Sequence, residues 1–534
     1  MATLYLKAAG GNFNGANWST TGAAGVDSVT PTAADNCIAE LASGNLTINS
    51  GSVCRSFDTT SGTGSYGGTI THTAGVTWTI GDGTAGAGNV ALKLNAGLTY
   101  TLGNAQTSAI TFASTSTTQQ TVTSAGKASG NWVFSGATGN WLLSDAKVGT
   151  TTSITHTAGT LDMTGLTMTL SNVASSNSNT RTLTITNASF TLSNTSAAWN
   201  CLTSTGLTLN ASGSTITLTG AGATFQGGTQ TYGNLVLTGS GTQIITGGTN
   251  TFNNFTRTGT AAKTDVLQLN ITQIVTGTLT LTGNSITNRL AVVSNVLGTA
   301  RAFTCTNAPS LTNVNFRDIT AGGAAGTWTG TSLGDLQGNS NITFTTAAGT
   351  SNGGTGVNRY WVGNAGNWSD TTHWSTSDGG ASGASVPLPQ DDVYFTANSI
   401  TSGSQTITVD MPHACRNITA SGVLNTPTIT QSAAPSYYGS FTWQANFSAS
   451  VFVATFRGRG SHTITSAGFG FNSTTLSAPG GTYTLLDAFT CNVQTLTITD
   501  GTWDANDFNV TCNALSSSLA TARTIYMGSG TWTL

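Results

Sequence analysis

From Thr278 to Thr282 the chain reads Thr-Leu-Thr-Leu-Thr, and short runs of this kind, apolar and polar in alternation and punctuated by Gly and Asn, recur along its length. On an extended strand such alternation turns one side chain inward and the next outward. Each run is too short to close a core by itself, so the pattern requires neighbours on which to stack. A shorter internal repeat supplies them. GGTQTYGNLVLTG from Gly227 and GGTNTFNNFTRTG from Gly247 are offset by 20 residues and set Tyr232 against Phe252, Asn234 against Asn254 and Leu235 against Phe255. ITHTAG recurs at Ile70 and Ile154, an offset near four such periods. A repeat of about 20 residues built from short alternating strands is what one coil of a β-solenoid needs. The pattern therefore predicts an all-β chain, mainly a right-handed parallel β-solenoid. A string of antiparallel β-sandwiches would use similar strands and turns but has no need of the offset.

A longer duplication divides the chain into two related segments. YLKAAGGNFNGANWS from Tyr5 parallels YWVGNAGNWSDTTHWS from Tyr360, and each leads to an Asp-containing turn and a Cys-Arg pair, Cys54-Arg55 or Cys415-Arg416. The stretch beginning at Gly159 matches that beginning at Gly501, aligning Asp162 with Asp504 and Arg181 with Arg523. The expected organisation is an aromatic and Gly-rich module at 1–62, solenoid segment I at 63–348, a Gly/Ser/Asn linker at 349–358, a Trp-rich second module at 359–422 and solenoid segment II at 423–534. The last residues, Thr531-Trp532-Thr533-Leu534, keep the strand alternation and carry no polar cap, at a point where the first copy runs on. A bare coil end exposes strand edges, so the expectation is either further chain beyond Leu534 or docking against another subunit.

Composition sharpens this picture. Only 7% of the 534 residues are charged, against about 25% in an average soluble domain. Glu40 is the single Glu and there are five Lys, so charged helix formers are nearly absent and helix content should be very low. Disorder is disfavoured, because a net charge of −3 accompanies 12 Trp and 20 Phe. The N-terminus shows neither a basic start nor an apolar stretch of signal-peptide length, and no run reaches membrane-spanning length. The expectation is a chain assembled in the cytosol without membrane insertion. Seven Cys (37, 54, 201, 305, 415, 491 and 512) are widely spaced without a CxxC pair, which points to buried free thiols, not to disulfides or zinc.

The most distinctive stretch is NRYWVGNAGNWSDTTHWS with VPLPQDDVYF after it, bringing Trp361, Trp368 and Trp374 close together. Aromatics at this density either pack and cap a solenoid or form a platform on which sugar rings stack. This stretch resembles a module recurrent in bacterial cell-surface adhesins and in tail-fibre or other virion proteins of phages, where it often leads into Thr/Gly-rich β-solenoid repeats. The match runs from Arg359 to Gly422, with a degenerate copy from Tyr5 to Gly62 that keeps Trp18 and Ser19 and places Ala34-Asp35 where the second copy has Asp391-Asp392. The resemblance implies a virion fibre or decoration protein that contributes to host-surface attachment, with other fibre subunits as partners, a homotrimer as the assembly, and a cell-surface glycan as ligand at Trp361, Trp368 and Trp374. A secreted bacterial adhesin and a carbohydrate-active β-helix enzyme are the alternatives.

For catalysis the candidates are Asp391 and Asp392, Asp370 and Asp378, and the scattered His72, His156, His373, His413 and His462. Adjacent residues on a strand point to opposite faces, so Asp391 and Asp392 could not both address one substrate. No convergent titratable set emerges, and no enzyme is expected. The four Asp could offer oxygen ligands to calcium, but DxDxDG spacing is missing and turn capping is the simpler role, so no cofactor is assigned. Arg457-Gly458-Arg459-Gly460 is the one compact basic pair, too small for a nucleic-acid footprint.

Overall fold

The computed structural model describes residues 2–344, 356–449 and 452–534. It is all-β, with about 1% helix, and its stacked parallel strands form a β-solenoid of about 22 turns. Residues 349–355 of the expected linker lie outside the described residues. Among the described residues no helix is long and apolar enough to cross a membrane.

The coils form because in-register parallel strands stack like on like. Trp78, Ile110, Trp132, Ile154 and Val173 follow one another on successive strands, and all are buried. A second column runs Ile80, Phe112, Phe134 and His156, with the Phe112 and Phe134 rings stacked at 4.6 Å. Outward positions carry Thr: in Leu279–Thr282 both Leu are buried and both Thr are partly open. The 20-residue offset is also physical. Tyr232 stacks on Phe252, and Asn254 donates its side-chain amide to Asn234 Oδ1 at 2.8 Å.

The duplication is equally real. Thr3–Leu6 pairs antiparallel with Trp18–Ser19 and parallel with Asn36–Ile38, while Asn358–Trp361 pairs antiparallel with Trp374–Ser375 and parallel with Asp392–Phe395. Registers give the equivalences. Tyr5 faces Ser19 as Tyr360 faces Ser375, and Thr3 faces Asn36 as Asn358 faces Asp392. The counterpart of Asp391-Asp392 is therefore Asp35-Asn36, one residue beyond the Ala34-Asp35 expected from the sequence. The hydrogen bonds agree, because Asp35 accepts from Ala2 and Thr32 backbone N–H groups and Asp391 from those of Val357 and Leu388.

Compact units divide the chain differently from the duplication. One comprises Met1–Thr256 with Ile271–Gly277, the other Arg257–Asn270 with Thr278–Leu534. The second unit thus contains the last coils of segment I together with the second module. Inside it, Ala291, Val293 and Leu336 pack with Tyr438 in one small apolar cluster. Gln390 donates to the Leu333 carbonyl and accepts from Asp335 N–H, and Gln337 donates to the Tyr438 carbonyl and accepts from Arg459 N–H.

Candidate functional site

The short strand Asn358–Trp361, the 3₁₀ turn Thr371–His373 and the strand Trp374–Ser375 bring the three indoles of the second module together. Asp370 caps that turn, accepting from Thr372 N–H, and this bond holds the Asp370 carboxyl below its ordinary value. Trp361 lies 5.1 Å from Trp374, Trp368 lies 4.8 Å from Trp374, and Phe395 closes the group. All three indoles are at most 1% exposed and belong to the core of the second segment. His373 covers the outer face of Trp361, stacked at 4.9 Å and 7°. A sugar ring needs an open aromatic face, and this arrangement offers none. The glycan-stacking role expected for Trp361, Trp368 and Trp374 gives way to packing and capping.

The four candidate calcium ligands go to separate tasks. Asp378 accepts from Thr396 Oγ1 and from Asn398. Asp391 is buried and tied to the Leu388 and Val357 amides, while burial pushes its carboxyl up from the ordinary carboxylate range. Asp392 forms a two-pronged ion pair with Arg416, at 2.8 and 2.7 Å, and also accepts from Asn417. Among the described residues no group of three or more His, Cys, Asp or Glu side chains is placed to hold a metal ion. The five His are dispersed too. His72 contacts Tyr100 and the Val76 carbonyl, His156 the Gly159 carbonyl, His413 the Tyr438 hydroxyl, and His462 the Arg459 carbonyl.

Sequence reasoning missed two features of the second unit. The first is a cavity of about 140 Å³ lined by Lys263, Asp265, Arg289, Pro389, Met411 and His413, among others. Arg289 forms part of its wall, bonded to Asn315 Oδ1 and to Ser332, and burial draws its guanidinium down to about 9. The second is a cluster of guanidiniums in which Arg317 and Arg459 lie against Asp318 and Arg457 sits beside Arg317. Its only advance signal was the Arg457/Arg459 pair, whose partner Arg317 lies far away in sequence. No family model, curated protein or solved structure matches the chain.

Proposed function

We propose that the chain is a non-enzymatic structural and adhesive protein, a fibre or decoration subunit of a phage virion that contributes to host-surface attachment. Support comes from what the buried polar side chains do. Arg181, 1% exposed, donates to Ser175 Oγ and to the carbonyls of Ser175, Asn177, Asn179, Thr203 and Thr205. Asp391 closes a turn and Arg359 anchors Ser385. Groups committed in this way hold coils in register, whereas a catalytic group keeps functional atoms free toward a cleft.

The resemblance of the Arg359–Gly422 module adds the virion context: assembly in the host cytoplasm, other fibre subunits as partners, and a homotrimer as the working assembly. Seven buried free thiols accord with folding in a reducing compartment. Immunogold labelling of particles and mass spectrometry of gradient-purified virions test the reading. Label on the particle surface supports it. Recovery only from a secreted or cell-surface bacterial fraction replaces it with the adhesin alternative.

A further inference from the structure

Of the basic pair, Arg459 joins distant segments, whereas the Arg457 guanidinium adds little to the structural role proposed above. Arg459 sends Nη2 to Asp318 Oδ1, and its backbone N–H is held by Gln337. Asp318 is 1% exposed, and its other oxygen accepts from Gly298 N–H. Arg317 donates Nη2 to the Ser294 carbonyl, but its Nε is buried without a hydrogen-bond partner and lies 3.8 Å from Asp318 Oδ2. Among the described residues the Arg457 guanidinium makes one hydrogen bond, from Nε to Ser436 Oγ at 3.1 Å, and no ion pair. Arg317 pairs in register with Val293, which packs against Tyr438, and the Arg457 N–H donates to the neighbouring Tyr437 carbonyl at 2.8 Å. The two guanidiniums therefore share one flank of the fold, and the Arg457 charge, after burial, draws the Arg317 guanidinium down. The neighbouring Asp335 carboxylate accepts from Asn339 and the Gln337 amide through Oδ1, and the Arg459 charge acts on both Asp335 and Asp500. Arg317 and Arg459 thus share the fully engaged Asp318 carboxylate, and Arg457 lies beside Arg317 without a carboxylate partner of its own among the described residues.

Like charges held together in a partly desolvated notch repel unless a counter-charge sits between them. Guanidinium forks match the paired oxygens of carboxylate, sulfate and phosphate. Arg317 and Arg459 keep 20% and 25% of their side-chain surface open, and Arg457 is half-buried, so the notch is reachable from solvent. We propose that Arg317 and Arg457 form a seat for an oxyanion, the sulfate, phosphate or carboxylate group of an acidic ligand, with Arg459 and Asp318 fixing its wall. The seat stands on its own geometry. That the oxyanion belongs to a surface glycan rests additionally on the attachment reading.

Thermal melting of the full chain in sodium sulfate, against sodium chloride at equal ionic strength, tests the seat with the inorganic ion as probe. The wild type gains a saturable few degrees in sulfate. Arg457→Gln, relieved of repulsion, melts higher than wild type in chloride and loses the sulfate response. Lys127→Gln, which removes the same charge elsewhere, retains it. A wild type indifferent to sulfate, or an Arg457→Gln variant that responds undiminished, overturns the seat. Calorimetry with sulfated and uronate oligosaccharides then separates the sources. Affinity about ten-fold above free sulfate, lost in Arg457→Gln, ties the seat to an acidic glycan. Affinity equal to that of the free ion leaves the seat intact and removes its link to attachment.

Discussion

Trp374 donates its indole N–H to the backbone carbonyl of Trp368 at 2.7 Å, with the two rings 4.8 Å apart. The first module repeats the relationship: Trp18 donates to the carbonyl of Phe13 at 2.9 Å, with rings 4.9 Å apart. The tryptophan retained in both copies is therefore the one whose N–H closes the loop. The other position needs only an apolar ring, and Trp368 Nε1 is in fact buried without a partner.

The two indoles should accordingly respond differently to substitution. Trp368→Phe discards an unsatisfied donor and adopts the ring used by the sister copy, so its cost should stay below about 1.5 kcal/mol. Trp374→Ala removes a buried indole and its bond, at a cost of about 3–5 kcal/mol. Urea titration followed by tryptophan fluorescence measures both. Equal losses for the two variants would mean that the shared bond is not what distinguishes them.

Arg181 and Arg523 repeat one pattern, each reaching the residues six, four and two places before it: Ser175, Asn177 and Asn179, or Ser517, Leu519 and Thr521. Arg181 adds Thr203 and Thr205 of the following coil. Arg181→Lys should fail to restore the network, because three donors on a flexible stem cannot replace the planar five-donor fork. The expected loss is about 2–4 kcal/mol in chemical denaturation. A Lys variant as stable as wild type would show that the carbonyls are satisfied in other ways.

How much of this was legible beforehand follows from how local each signal is. Alternation and the 20-residue offset announced the coils, because in-register stacking places equivalent residues in contact, as with Asn234 and Asn254. The duplication was legible where its residues are chemically distinctive, as at Arg181 and Arg523. A further pair was present but unread. Asp145 accepts from the Ser124 and Ala125 amides, and Asp487 from those of Ser466 and Ala467, under matching Ser-Ala-Gly turns in which Ala125 and Ala467 share a φ of 50°. The Asp318–Arg459 pair and the Gln337 clamp were not legible. They join segments more than a hundred residues apart, and neither periodicity nor propensity encodes which faces of two coils will meet. The role of Phe13 was hidden for another reason: matching by tryptophan identity conceals a position that requires only a ring.

All seven cysteines are free and buried, and burial pushes thiols such as Cys201 and Cys305 up to about 12. A thiol of this kind is a poor nucleophile. A disulfide-exchange dye should therefore titrate no thiol in the native protein and seven after denaturation. Fast native reaction of any one would locate a coil that opens.

Acid should weaken the fold before the carboxylates begin to protonate. Burial draws His156 down to about 4 and His413 to about 3, and lowers His72 as well. Since an unfolded His titrates near 6.5, between that value and the folded one the unfolded chain binds the extra proton. Stability is then full above pH 6.5 and declines as pH falls. From pH 6.5 to 5 one such His accounts for about 2 kcal/mol. His156→Gln removes the titration and should shrink the pH dependence by that amount relative to wild type. An unchanged slope would mean that His156 protonates without penalty.

Lys147 gives the same sign on the alkaline side. Its ammonium is fully buried, donates to the Gly130 carbonyl at 2.6 Å and sits 4.9 Å above the Trp132 ring. These contacts only partly replace lost hydration, and burial draws the amine down to about 7. An unfolded Lys titrates near 10.4, so between pH 7 and that value the unfolded chain holds the extra proton and stability rises with pH, by about 1.4 kcal/mol per pH step. The buried thiols act against this above pH 8, because they ionise more readily when unfolded. A comparison with Lys147→Met isolates the lysine, since the thiols are common to both proteins. The Met variant should be the more stable at pH 6, and its advantage should shrink steadily toward pH 8.5 in urea melts. An advantage independent of pH would place the effect in packing over Trp132 and not in the buried charge.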